Sequence, residues 1–181
     1  MHSTAKNIDQ DEYYKVNPYM SDERLKKVFI IEDNEMHSMM MDYILSKENS
    51  FNIFRFKSGE ECIKKLNLRP DIIILDYGLP GIDGLETFKQ IKEYNSKIPV
   101  VVITENSNNG IAKEFKDNGA YEYIVKDPNS FLKLSQVIES ILVRLSEREY
   151  MISSRNTALL VGGFVFLILL SSLVSYLVLK H

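Results

Sequence analysis

The chain is poor in cysteine and has no surplus of positive charge, and each shortage excludes a class of function. Cys62 is the sole cysteine. One thiol forms no disulfide within the chain and leaves no cysteine cluster for structural zinc. Lys and Arg number 22 against 25 Asp and Glu, a formal charge of −3. A dedicated nucleic-acid binder shows a basic face, so this balance removes its electrostatic basis. The N terminus lacks the cationic start and apolar stretch of a signal peptide. Residues 1–25 show no sustained periodicity either and read as a flexible arm.

Apolar residues make up 45% of the 181 and charged residues 26%, a globular average that hides a sharp split. Thr157–Leu179 is 23 residues with no Asp, Glu, Lys, Arg, His or Pro. As a helix this run is about 35 Å long, enough for a hydrocarbon core of about 30 Å. Buried helices of soluble cores rarely run so long without charge. Residues 157–179 are therefore read as a transmembrane helix, and with only Lys180 and His181 beyond it, as a C-terminal anchor. Arg144, Arg148 and Arg155 precede the run against Lys180 after it. The positive-inside rule then expects a membrane protein with its large domain in the cytoplasm. Residues 146–156 form the juxtamembrane linker, free of Gly and Pro. About a dozen residues leave no room for a helix-turn-helix, so DNA-binding output is not expected.

Between arm and linker the pattern alternates. Val28–Ile31, Phe51–Phe56, Ile72–Leu75, Val100–Ile103 and Tyr121–Val125 read as short strands, mostly continuous apolar runs. Helical spacing intervenes. Glu35–Lys47 offers Met36, Met39, Met40, Tyr43 and Ile44 as an inner face. Ser58-Gly-Glu-Glu61 is a capping box opening a helix through Cys62, Ile63 and Leu66. Helices are also expected near Leu85–Tyr94 and Asn108–Asn118, with Gly119 as a C-cap, and from Ser130 with Leu134, Ile138 and Ile141 inward. Five β–α units with apolar strands imply an α/β fold: a doubly wound, five-stranded parallel sheet of the flavodoxin type.

Such sheets place their working site at the carboxyl ends of the strands. Strand 1 ends at Glu32-Asp33, strand 3 at Asp76, strand 4 at Thr104 and strand 5 at Lys126. Clustered carboxylates repel one another and call for a cation, and hard oxygen ligands favour Mg²⁺. An Asp beside Mg²⁺ can attack a phosphoryl group, while a hydroxyl and an ammonium hold the remaining oxygens. These residue types suit formation of an aspartyl phosphate.

In this arrangement residues 26–145 resemble the receiver domain of bacterial two-component response regulators. Asp76-Tyr-Gly-Leu-Pro-Gly-Ile-Asp-Gly84 is similar to the loop that follows the phosphoacceptor in that family. The resemblance implies strand order 2-1-3-4-5 and Asp76 as acceptor. It implies Asp33 as a direct Mg²⁺ ligand, Glu32 as the second acid and the Gly78 carbonyl as a further ligand. Thr104 then stands at the switch position, Lys126 at the phosphate-binding lysine, and Tyr123 at the aromatic that turns inward with Thr104. It also implies a histidine kinase or a histidine phosphotransfer protein as the donor. The chain would be an acceptor that catalyses its own phosphorylation and dephosphorylation rather than an enzyme acting on others.

Two positions depart from the family pattern. Glu105 follows the switch Thr where a small residue is usual, beside the approach of water or donor. Asp127 follows Lys126 where Pro is usual, and Pro128 comes one later. These departures support an alternative: a membrane-tethered binding module that works without phosphorylation. His37 reads as a solvent-facing helical residue, the Met-rich stretch from Met36 to Met41 as core and helix-edge packing, and Cys62 as a buried small hydrophobe. A flavodoxin would carry a phosphate-cradling loop where Glu32-Asp33-Asn34 stands, and an Asp-dependent phosphatase a second acid where Gly78 stands. Ser171 with Ser175, and Gly162-Gly163, allow close helix approach, so self-association or a membrane-bound partner is expected for output.

Overall fold

In this computed structural model, residues 25–48 and 51–179 are described. The arm expected over residues 1–25 thus lies outside the described residues, apart from Leu25. In chain order the elements are β1 (Lys26–Ile31), α1 (Glu35–Glu48), β2 (Phe51–Phe56), α2 (Gly59–Ile63), β3 (Ile72–Asp76), α3 (Gly84–Tyr94), β4 (Val100–Thr104), α4 (Asn109–Asp117), β5 (Glu122–Val125) and α5 (Ser130–Leu179). The five strands form one sheet in the order β2-β1-β3-β4-β5, every neighbouring pair parallel. The doubly wound order expected from the sequence is the order observed.

Strand composition explains the sheet's position. Every residue of β3 and β4 is buried, and Ile, Val and Leu fill all eight positions from Ile72 to Leu75 and from Val100 to Ile103, with Thr104 last in β4. β-Branched side chains lose little freedom on a pleated surface and cover both faces. On one face, Phe29, Phe88 and Phe115 are fully buried, and Phe88 meets Phe115 edge-on at 5.2 Å. Register then aligns the strand ends: Ile31 lies opposite Leu75, Asp76 opposite Ile103, and Thr104 opposite Val125. The residues at or just past those ends share one rim.

Caps set where the helices begin. Asp83 accepts the Glu86 N–H at 2.8 Å ahead of α3, and Asn108 accepts the Gly110 N–H at 2.8 Å ahead of α4. Gly119 follows α4 with φ 88°, a conformation that suits glycine at a helix end.

Three local expectations need correction. The buried side of α1 is Ser38, Met41 and Leu45, whereas Met36, Met39, Met40 and Tyr43 are exposed. One helical face carries i, i+3 and i+7, and the sheet takes the face holding a small Ser beside a Met and a Leu. α2 stops at Ile63 and gives way to a 3₁₀ turn at Leu66–Leu68, so the helix is shorter than the apolar spacing suggested. The capping box is one-sided. Ser58 accepts from Glu61 N–H at 3.3 Å, but the Glu61 carboxylate reaches back to the Lys57 N–H at 2.9 Å.

α5 begins on the sheet with Leu134, Ile138 and Ile141 buried. The compact unit containing the sheet ends at Ile141, and the chain from Leu142 belongs to a second unit. Within that second unit the helix runs without a break through the charged Ser146–Arg155 stretch to Leu179. Leu159, Leu160, Phe164, Phe166, Leu167 and Leu169 are all exposed along it. Among the described residues this is the one helix long and apolar enough to cross a membrane.

Candidate functional site

Strand ends bring the expected groups together. Glu32, Asp76 and Thr104 are buried, and Asp33 is exposed at the rim. One carboxylate oxygen from each of Glu32, Asp33 and Asp76 lies within 4.8 Å of the other two. Lys126, just past β5, donates to Glu32 Oε2 at 2.8 Å and to Asp76 Oδ2 at 3.0 Å. Residues 94 and 50 apart in sequence thus meet at one ammonium.

The charges shape one another. Burial raises Glu32 above its ordinary value and the Asp76 charge adds to this, against the Lys126 hydrogen bond that lowers it. Burial acts downward on Lys126, yet its hydrogen bonds to Glu32 and Asp76 hold it above its ordinary value. Lys126 is therefore a fixed cation between two buried acids. Three hard carboxylates against one ammonium form a donor set that suits a hard divalent cation and not a soft metal.

The remaining predicted residues also sit here. Gly78 donates its N–H to Asp76 Oδ1 at 3.3 Å, which fixes the carboxylate from the side opposite Lys126's oxygen. Thr104 Oγ1 accepts the Asn106 N–H at 3.1 Å. Tyr123 is half-buried against Phe115, with ring centroids 5.8 Å apart, and its hydroxyl donates to the Asn106 carbonyl at 2.6 Å. Burial, with Tyr77 and Asp76 nearby, raises the Tyr123 phenol above its ordinary value.

One of the two departures from the family pattern has a structural account. Asp127 organises the start of α5: it accepts the Asn129 N–H at 2.8 Å and the Lys133 ammonium at 2.8 Å. The Lys126–Asp127 bond is trans, as are all the described peptide bonds. Glu105 is exposed.

Sequence reasoning missed three participants. His37 is half-buried rather than solvent-facing, and its Nδ1 lies 3.4 Å from Lys126 Nζ. Glu60, on α2, accepts the Ile82 N–H at 3.0 Å and so pins the loop after Asp76. Asn106 links Thr104 to Tyr123 through its two backbone groups. Of these, only Asn106 had a signal in the sequence, its place two residues past Thr104.

The model of the response regulator receiver domain matches residues 28–139, which includes every residue of this rim. The chain belongs to the response regulator receiver family. Among its relatives, the alkaline phosphatase synthesis transcriptional regulatory protein PhoP of Bacillus subtilis is 28% identical over 120 residues, 66% of this chain and 49% of that protein. A protein-glutamate methylesterase/protein-glutamine glutaminase of Caldanaerobacter subterraneus is 30% identical over 140 residues, 72% of this chain and 38% of that protein. The receiver chain thus spans half the length of these relatives or less. Among solved structures, the phosphorylated cyanobacterial phytochrome response regulator RcpA is 28% identical with a TM-score of 0.55, over 66% of this chain and 90% of that one. A CheY-like receiver domain protein of Methanospirillum hungatei shares the fold at 20% identity and a TM-score of 0.62, over 70% of this receiver chain and 99% of that one.

Proposed function

We propose that this receiver takes a phosphoryl group on Asp76 from a partner phosphohistidine, on a histidine kinase or a histidine phosphotransfer protein. The observation that carries the reading is the Lys126 ammonium held 3.0 Å from Asp76 Oδ2 inside the acid cluster. An Asp76 oxygen attacks phosphorus, the P–N bond of the donor breaks, and its electron pair returns to the imidazole nitrogen. Lys126 and Thr104 hold the phosphoryl oxygens. Asp33, Asp76 and the Gly78 carbonyl would hold Mg²⁺, with Glu32 as the second acid. The metal supplies charge neutralisation on the transferring oxygens. The chain acts as acceptor and catalyst of its own modification.

Residues 157–179 are the membrane anchor in this reading, supported by their length and composition and by the exposure of residues 157–171. The receiver domain then works at the cytoplasmic face. Output passes through protein partners or self-association at the membrane, where confinement raises the effective concentration of anchored copies, and not through nucleic acid.

The test uses the full chain, purified in detergent, with a small-molecule phosphodonor and Mg²⁺. Labelling should appear in the native chain and vanish with EDTA or in Asp76→Asn. Labelling that persists in Asp76→Asn overturns the assignment. A native chain that takes no label supports the binding-module reading instead. Carbonate-washed membranes should retain the full chain and release a chain lacking 157–181; retention of the shortened chain would refute the anchor.

A further inference from the structure

His37 stands outside the group of residues that the proposed phosphotransfer uses, yet it touches the lysine at its centre. An ammonium has three N–H donors and no acceptor. Around Lys126 Nζ stand three acceptors: Glu32 Oε2 at 2.8 Å, Asp76 Oδ2 at 3.0 Å and His37 Nδ1 at 3.4 Å. The donors are saturated. The same Nδ1 lies 3.7 Å from Glu32 Oε1, outside hydrogen-bond range, so the shorter approach is to Lys126. This geometry makes Nδ1 the acceptor and places the ring hydrogen on Nε2. α1 supplies the reason for the position: the Asn34 side chain accepts the Met36 and His37 N–H groups at 3.0 and 3.2 Å. That cap seats the first turn of the helix over the rim.

A phosphoryl oxygen can bond Lys126 only if one acceptor leaves. Glu32 and Asp76 offer carboxylate oxygens at 2.8 and 3.0 Å, whereas His37 offers a ring nitrogen at the longest distance, 3.4 Å. We propose that His37 is a positioning residue for Lys126, holding its third N–H on the side where the phosphoryl oxygen arrives and surrendering it on transfer. This inference rests on Asp76 being the phosphoacceptor. His37 exchanges no proton and forms no bond to phosphorus. It confines the ammonium before the reaction, so less ordering remains to be done at the transition state.

The experiment compares His37→Ala, His37→Gln and the native full chain in detergent, each with small-molecule phosphodonor and Mg²⁺. The Gln amide oxygen can accept from an ammonium, and a methyl group cannot. His37→Ala should slow labelling at saturating donor by about fivefold with the donor KM nearly unchanged, the scale of the side-chain ordering that His37 no longer supplies before transfer. His37→Gln should recover most of that loss. A second readout needs no phosphate: the ¹⁵N resonance of the Lys126 ammonium, assigned by its loss in Lys126→Arg. It should shift in His37→Ala and return toward the native position in His37→Gln. Native labelling rates and an unmoved Lys126 resonance in His37→Ala would overturn the proposal, as would equal losses in Ala and Gln. If the native chain takes no label while the resonance follows the Ala and Gln pattern, His37 orients Lys126, but the phosphoacceptor reading fails and the transfer role proposed here fails with it.

Discussion

The Tyr123 hydroxyl donates to the main-chain carbonyl of Asn106 at 2.6 Å, while the N–H of that same residue bonds Thr104 Oγ1 at 3.1 Å. One loop residue therefore ties the rim hydroxyl to the aromatic on β5. A Thr104 that turns toward a phosphoryl oxygen gives up the Asn106 N–H and disturbs the residue that holds Tyr123. Tyr123→Phe removes one hydrogen bond and keeps the ring packing on Phe115. Its expected cost is about 1 kcal/mol of stability, with faster amide exchange in the loop 105–108 and an unchanged rate of Asp76 labelling. Native-like exchange there would show that the loop is held by other means.

Metal binding should register as stability. Three carboxylate oxygens lie within 4.8 Å of one another; Mg²⁺ bound there would relieve their repulsion in the folded chain alone. At a hundredfold excess over Kd the gain is about 2.7 kcal/mol. Thermal unfolding should move upward with millimolar Mg²⁺ in the native chain and not in Asp33→Ala. Asp33 is the exposed member of the cluster, so its removal leaves the core intact. An equal upward shift in both proteins would remove Asp33 from the site.

Gly84 opens α3 against the backbone of Asp76 and Tyr77. A Cβ there would stand 2.5 Å from the Asp76 carbonyl oxygen and 2.5 Å from Tyr77 Cα, both backbone atoms with little room to yield. Gly84→Ala is expected to cost about 1–3 kcal/mol by overpacking and to slow labelling by displacing Asp76. A urea midpoint equal to the native one would show that α3 shifts freely.

Glu105 follows Thr104 and is exposed; on the proposed phosphotransfer its charge would hinder water approaching phosphorylated Asp76. Glu105→Ala should speed loss of label by about 5–30-fold, the rate equivalent of ~1–2 kcal/mol. A half-life unaffected by the substitution would place the Glu105 carboxylate away from the line of attack.

Cys62 is fully buried, and burial pushes its thiol from 9.0 up to about 12. Between those values the folded chain keeps a proton that the unfolded chain has lost. Stability from this group therefore falls as pH rises from about 9 and levels off near 12. The urea midpoint of the native chain should drop more steeply than that of Cys62→Ala across that window. At pH near 8 a thiol reagent should label Cys62 only in denaturant. Rapid labelling of the folded chain would mean that the helix layer opens locally.

Periodicity and composition alone determined the parallel sheet and the long apolar helix, and the family resemblance implied the strand order. Runs such as Ile72–Leu75 and Val100–Ile103 have one stable use, a strand covered on both faces, and right-handed crossovers leave few ways to arrange them. Asp76, Thr104 and Lys126 were legible for the same reason, since parallel strands deliver their carboxyl ends to one edge. Tertiary structure decided which side of α1 faces in. The α1 sequence offers Met in several directions, and only packing against the sheet selected Met41 and Leu45 over Met36 and Met40. It also decided which groups touch. His37 beside Lys126 lies across 89 residues of chain, Glu60 against Ile82 across 22, and Tyr123 against Asn106 across 17. No local spacing encodes such pairs, because a hydrogen bond depends on a fraction of an ångström in how separate elements dock.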